Sequence, residues 1–308
     1  MRTRFGLTLL ALSLVAAACG SGDSDTTTPV VADTTTTTAA TTTTAAPATT
    51  TTTVAVDACA IDQLNLVDAG VLTVATGLPA FFPYVLDDDP TSKQGFESAV
   101  AYAVANEMGF TDDQVKWVRT GFDEAIAPGP KDWDFNLQQF SITPVREEVV
   151  DFSTGYYEVK QALVAEADGP AAGLTSIADL KGLRLGAQIG TTSLDLIETV
   201  IDPDSEAKVF DDNTAVQAAL TADQIDAFVV DLPTALFISC CVMDNGVVVG
   251  QFETPGTEPE EFGLLFADGN SLVPCVDDAL NALKGDGRLA AIEDEWLVQL
   301  TDVAVFSP

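Results

Sequence analysis

Gly95-Phe96-Glu97-Ser98-Ala99-Val100-Ala101-Tyr102-Ala103-Val104-Ala105-Asn106-Glu107-Met108-Gly109 is the stretch whose periodicity sets the fold class. Phe96, Val100, Ala103, Val104 and Met108 recur at helical spacing and Gly109 stops the run, which predicts an amphipathic helix. The β-prone runs Val71–Ala75 and Val115–Arg119 flank it, and Leu183–Ala187 and Ile225–Val230 alternate with further helical patterns downstream. Alternation of this kind predicts an α/β fold with largely parallel sheets. From Asp57 onward about 250 residues remain, a length that favours two lobes over one enlarged core. No internal repeat is evident.

The chain upstream of Asp57 has a different character. Arg2 and Arg4 precede an apolar run, Phe5–Val15, and the small residues Ala16-Ala17-Ala18 lead into Cys19. This resembles a bacterial lipoprotein signal over residues 1–18, with Cys19 becoming the lipid-bearing first residue of a protein held on the outer face of the cytoplasmic membrane. Residues 19–56 are rich in Thr, Ala, Pro and Asp. Too little apolar surface is present there to offset ordering entropy, so a disordered, lipid-anchored linker is expected.

Composition narrows the chemistry. The 308 residues carry 47 acidic and 13 basic side chains and a formal net charge of −34. That field repels nucleic-acid phosphates and anionic headgroups, so no nucleic-acid partner is expected. Histidine is absent, which excludes Ser/His, Cys/His and histidine-based metal chemistry. No cofactor is implied. Asp87-Asp88-Asp89 lacks the alternating ligands and glycine of a calcium loop, so no metal site is expected either.

Three local patterns carry the candidate site. In Ser141-Ile142-Thr143-Pro144-Val145-Arg146, Thr143 and Pro144 suit an N-cap and first helical residue, and Glu147 and Glu148 suit the positive end of a helix dipole. Arg146 does not, unless an anion lies against it; the alternative is a surface arginine paired with Glu147 or Glu148. Gln188-Ile189-Gly190-Thr191-Thr192-Ser193 joins a strand to a helical run, either as an anion receptor or as an ordinary capped helix. Asp231 ends the apolar run Ala227–Val230 and precedes Leu232-Pro233. It is either an N-cap or a carboxylate at a sheet edge facing an ammonium.

In this order and at these separations the three patterns resemble the extracytoplasmic solute-binding proteins, family 3, that serve polar amino acid ABC importers. Gly70-Val71-Leu72-Thr73-Val74, Gly95-Phe96-Glu97, Ile177-Ala178-Asp179-Leu180-Lys181-Gly182, Asp286-Gly287-Arg288 and Trp296 extend the resemblance over the whole head. It implies a two-lobed periplasmic-binding-protein-like fold (type II) with two hinge crossings, preceded by the linker. Lobe 1 would comprise 57–159 plus 250–308 and lobe 2 160–249, with crossings near Glu158–Gln161 and Val248–Phe252. Arg146, Thr191 and Thr192 would hold an α-carboxylate and Asp231 an α-ammonium. Gln138, Gln139, Ser141 and Thr143 would complete the shell, and Phe81 and Phe122 would flank the ligand side chain. A zwitterion needs both charge signs in one cleft, because each desolvated charge must meet its opposite.

The function implied is capture of an α-amino acid by a monomeric, non-enzymatic lipoprotein and its delivery to an ABC permease and ATPase. A sensor subunit for a membrane receptor and a cyclohexadienyl-dehydratase-like enzyme, with Asp231 or Glu97 as acid, are the alternatives. Binders of cationic amino acids in this family carry an acid where this chain has Gly77-Leu78-Pro79. That departure, the amides of Gln138 and Gln139, and Arg119 favour a polar or acidic ligand over a cationic one. Cys59 and Cys275 both map to the split lobe and are expected to form a disulfide in an oxidising compartment. Adjacent Cys240 and Cys241 are read as two buried thiols, with a strained vicinal disulfide as the alternative.

Overall fold

The computed structural model describes residues 57–253, 259–297 and 303–308. Residues 1–56, and with them the signal segment, Cys19 and the linker, lie outside the described residues. In chain order the regular elements are β1 (Leu72–Gly77), α1 (Phe96–Glu107), β2 (Val115–Thr120), α2 (Phe122–Ile126), β3 (Phe135–Asn136), β4 (Val150–Phe152), β5 (Tyr157–Val159), β6 (Gln161–Glu166), α3 (Ile177–Leu180) and β7 (Leu185–Gln188). There follow α4 (Thr192–Leu196), β8 (Lys208–Phe210), α5 (Asn213–Thr221), β9 (Ala227–Asp231), α6 (Leu232–Phe237), β10 (Gly246–Gln251), β11 (Glu260–Phe262), β12 (Leu265–Ala267), α7 (Val273–Asp286) and α8 (Arg288–Trp296).

Two five-stranded sheets form two lobes, ordered β2-β1-β3-β12-β4 and β10-β6-β9-β7-β8. In each, a single strand runs against the rest: β12 is antiparallel to both β3 and β4, and β6 to both β9 and β10. These two strands are the ones by which the chain enters a sheet after crossing from the other lobe. The remaining strands run parallel, so their C-terminal edges are available for ligands in both sheets, the usual place for a site in open α/β folds.

Apolar periodicity accounts for the layers. Phe96, Val100 and Val104 of α1 are buried against Leu72, Val74 and Phe135 of the first sheet, together with Val276, Leu280 and Leu283 of α7 and Leu289 of α8. The opposite face holds Ala75, Ala125, Trp133, Phe140 and Leu265. In the second lobe Leu163, Leu185, Ile197 and Val229 fill one face, and Val164, Val216, Phe228 and Ile238 the other. Gly95 must be glycine: its φ is +100° and a Cβ would come within 2.5 Å of the Tyr84 carbonyl oxygen.

Three details differ from the sequence reading. Val248–Phe252 is not a crossing, because Gly246–Gln251 is an edge strand paired with β6; its β-prone valines serve the second sheet. The return path instead includes β11, whose Glu260 pairs with Val159 of β5, so the two crossings run side by side. The tail 303–308, grouped with lobe 1 above, lies against lobe 2: Phe306 packs on Phe252 with tilted rings and centroids 4.8 Å apart, and Ser307 N–H donates to the Thr175 carbonyl.

Cys59 and Cys275 are bonded, tying the start of the head to α7 across 216 residues of sequence. Replacing both by serine is expected to cost about 2–5 kcal/mol, because a cross-link over so long a loop restricts the unfolded chain. The urea midpoint of the double variant measures the loss, and an unchanged midpoint would contradict it. Cys240 and Cys241 are not buried thiols. Both are exposed at the end of the helical segment that continues α6, and they are bonded to each other.

Candidate functional site

The C-terminal edges of both sheets face one cavity of about 280 Å³. From the first lobe it receives Thr76 and Gly77 at the end of β1, Phe81, Phe122 at the start of α2, and Gln138, Gln139, Ser141 and Arg146. From the second lobe come Gln188 at the end of β7, Thr191 and Thr192 at the start of α4, and Asp231 at the end of β9. Nine of the ten residues expected at the ligand therefore share one space. The tenth, Thr143, does not line it: its hydroxyl accepts the Arg146 backbone N–H at 3.3 Å and closes a turn. The helix expected from Thr143-Pro144 is reduced to a single 3₁₀ turn, Arg146–Glu148.

Arg146 is 8% exposed, and its side-chain hydrogen bonds go to backbone carbonyls rather than to Glu147 or Glu148. Its Nη1 donates to the Ser141 carbonyl at 2.6 Å and its Nη2 to the Gly190 carbonyl at 2.9 Å, while the guanidinium lies 5.4 Å from the centroid of Phe122. Phe122 is held in turn by stacking on Phe140 at 4.8 Å. Burial lowers the Arg146 pKa, opposed by the carboxylates of Glu260, Asp195 and Asp123. A guanidinium has five N–H donors, so two carbonyl bonds leave further donors for an anion.

The helix junction serves capping and cavity together. Thr191 donates to the Gln188 carbonyl at 2.7 Å and accepts from Leu194 N–H at 3.2 Å, so its hydroxyl is committed to the N-cap. Gly190, with φ +71°, brings its carbonyl to Arg146; a Cβ there would meet Asp123 Oδ1 at 2.6 Å. Asp231 likewise caps α6 through Thr234 N–H at 2.9 Å. The same Oδ1 also accepts from Tyr84 Oη of the other lobe at 2.5 Å. Burial raises its pKa above the usual carboxylate range, against the hydrogen bonds from Tyr84 and Thr234.

Below Gln139 lies Glu97, 1% exposed, which accepts from Gln139 N–H at 2.8 Å, Gln139 Nε2 at 2.5 Å and Tyr156 Oη at 2.5 Å. Gln139 sits at φ +53°, and these bonds hold it there. Burial pushes the Glu97 carboxyl up to about 7. A raised carboxyl pKa means that the native state keeps a proton the unfolded chain has released. The associated stability is complete below the unfolded value, falls as pH rises, and is gone above about 7. Glu97→Gln is expected to flatten this decline, on the order of 3 kcal/mol between pH 4.5 and 8. Asp231, raised by the same cause, adds a slope of the same sign that the substitution leaves in place. Equal urea-midpoint slopes for parent and variant would refute the assignment.

Several cavity residues escaped the sequence reading. Asp123 and Glu124 of α2 and Asp211 and Asp212 before α5 give the lining an acidic rim from both lobes. Gln138 Oε1 is a buried acceptor with no hydrogen-bond partner among the described residues. Arg119, read as a candidate for an acidic ligand, is not in the lining; it bonds Asp88, with which it forms an ion pair. No group of three or more potential metal-ligating side chains occurs among the described residues. No helix there is long and apolar enough to cross a membrane.

A two-lobed cleft with a buried guanidinium and a buried carboxylate in its shared lining presents both charge signs to one small cavity. The comparisons with known proteins give this architecture a family. The profile of the bacterial extracellular solute-binding proteins, family 3, matches residues 72–299, and the chain belongs to that family. The L-cystine-binding protein TcyJ of Escherichia coli (strain K12) is 27% identical over 228 residues, covering 73% of this chain and 82% of its own. The ABC transporter arginine-binding protein 1 of the same strain is 28% identical over 212 residues, covering 67% and 82%. Among solved structures, an ancestral arginine-binding protein bound to arginine superposes with a TM-score of 0.62 at 30% identity, covering 74% of this chain and 98% of its own. The fold is thus that of the type II amino-acid-binding proteins, and the chain is an extracellular amino-acid-binding protein of the ABC transport family.

Proposed function

We propose that this protein captures an α-amino acid bearing a second, distal amino or guanidinium group and delivers it to an ABC permease and its ATPase. The carrying observation is that Arg146 and Asp231 approach one cavity from opposite lobes, each buried and each matched to one pole of a zwitterion. Arg146 would take the α-carboxylate and Asp231 the α-ammonium, while the Thr191 and Thr192 hydroxyl protons, which the Gln188 carbonyl and Glu260 accept, are not offered to the carboxylate. Phe81 and Phe122 would flank the side chain, with Gln138, Gln139 and Ser141 completing the shell.

The distal cation replaces the polar or acidic preference drawn from sequence. Asp123, Glu124, Asp211 and Asp212 line the cavity and Arg119 does not. A ligand with a side-chain carboxylate would face these acids without a compensating cation, whereas arginine, lysine or cystine supplies a donor and a positive charge. Binding of cystine and of arginine is named for the relatives above, in keeping with this reading. The site asks only for complementary charge and closure, so a non-enzymatic role is supported. We place the protein outside the cell as a monomer, lipid-anchored through Cys19, with lobe 1 and lobe 2 closing about the crossings next to Val159 and Glu260.

Calorimetry with the common amino acids and cystine tests this. Saturable binding of arginine, lysine or cystine, at least tenfold tighter than glutamate, is the expected outcome. Tighter binding of glutamate or aspartate would overturn the ligand class, and no binding of any amino acid would overturn the function.

A further inference from the structure

Glu260 is used by none of the roles above, yet it sits where the lobes meet. It opens β11, beside Val159 of β5, in the paired crossings. Its carboxylate accepts from Ser141 Oγ at 2.5 Å, from Thr192 Oγ1 at 2.6 Å and from Gln161 Nε2 at 3.1 and 3.2 Å. Ser141 belongs to the first lobe, whereas Thr192 and Gln161 belong to the second, where Gln161 Oε1 also accepts from Ser193 Oγ at 2.7 Å. One side chain on the hinge thus ties together hydroxyls from both jaws, and Ser141 and Thr192 both line the cavity while Glu260 does not.

We propose that Glu260 is a positioning residue that couples hinge closure to ligand affinity. Its place behind the lining rules out occupation of the ligand's own volume. Separation of the lobes carries Ser141 away from Thr192 and Gln161, so the full set of bonds exists only when the lobes are closed. In that state the hydroxyl protons of Ser141 and Thr192 point to Glu260, so toward the cavity both hydroxyls can act only as acceptors, Thr192 with the lone pair that its bond from Gln161 Nε2 at 3.3 Å does not use. The α-carboxylate then depends on Arg146, and the two hydroxyls suit a donor group of the ligand. Stabilising the closed state before ligand arrives raises the competent fraction and lowers the apparent Kd in proportion.

This rests on the amino-acid-binding reading, and the test separates the two. Probes at the exposed positions Asp113 and Glu198, one on each lobe, report the inter-lobe distance in the ligand-free full chain, and calorimetry with arginine, lysine and cystine reports affinity. Glu260→Gln keeps the shape but offers one carbonyl acceptor and adds donors. The expected result is a longer ligand-free inter-lobe distance and a Kd raised about tenfold, with the thermal midpoint within a few degrees of the parent. Glu260→Asp, one methylene shorter, is expected to give smaller shifts in the same directions, and it carries the test if the amide variant does not fold. In a double-mutant cycle, Ser141→Ala should cost markedly less in the Glu260→Gln background than in the parent. An unchanged ligand-free distance, an unchanged or lower Kd, or a drop in thermal midpoint without a change in either would overturn the proposal. Failure of the parent to bind any amino acid would overturn the functional reading, while the ligand-free distance would still decide the role of Glu260.

Discussion

Asp231→Asn is expected to weaken amino-acid binding by about 2–5 kcal/mol, roughly 30-fold to several thousand-fold in Kd, while leaving the ligand-free fold at least as stable as the parent. The split follows from the two jobs of this side chain. Asparagine caps helices as well as aspartate does, and its Oδ1 retains the bonds from Thr234 N–H and Tyr84 Oη. What it lacks is the charge. In the ligand-free protein that charge is costly, since burial raises the Asp231 pKa and Glu260 adds repulsion. Once an ammonium lies against it, the same buried charge is matched, and an amide then leaves the ammonium without a counter-charge in a desolvated cleft. A thermal shift assay reads both halves: the ligand-free midpoint is expected to hold or rise, and the ligand-induced increment to vanish at concentrations that saturate the parent. A variant that binds as tightly as the parent would remove Asp231 from the ammonium site.

The same duality explains what the sequence made legible. The strand-helix alternation, α1, and nine residues that line the cavity were readable, because apolar periodicity and helix-start chemistry are local. Asp231 and Thr191 were each read as either cap or ligand group, and each caps a helix while lining the cavity. Thr143 was misassigned because a Thr-Pro pair starts a turn as readily as a helix, and only the fold shows which way the hydroxyl faces. Glu260 lies 119 residues from Ser141 and 68 from Thr192, so nothing local marks it. Arg119 was misread for the opposite reason: a cation near the cleft in sequence was taken as facing it, whereas Asp88, 31 residues away, holds it outside the lining. The second crossing was placed too early because valine-rich β propensity marks a strand without saying which sheet it joins.

Arg146 shows why two charged residues with similar expected losses are separable by experiment. Arg146→Met is expected to cost about 2–5 kcal/mol in ligand affinity, as the α-carboxylate loses its buried partner. Both side chains bridge the lobes, Asp231 through Tyr84 Oη and Arg146 through the Ser141 carbonyl on one side and the Gly190 carbonyl on the other, but asparagine can keep its bridge whereas methionine cannot. Methionine keeps much of the apolar contact over Phe122 but leaves both carbonyls without these donors. A lower ligand-free thermal midpoint is therefore expected alongside the lost affinity, whereas Asp231→Asn loses affinity alone. Arg146→Lys sharpens the distinction. Lysine restores the charge, but its single ammonium cannot span two carbonyls and an anion in one plane, so it should recover less than half of the lost binding free energy. Calorimetry on the parent, Arg146→Met and Arg146→Lys measures this series. Full recovery by lysine would mean that the anion is held by charge alone and that the guanidinium fork has no part in joining the lobes.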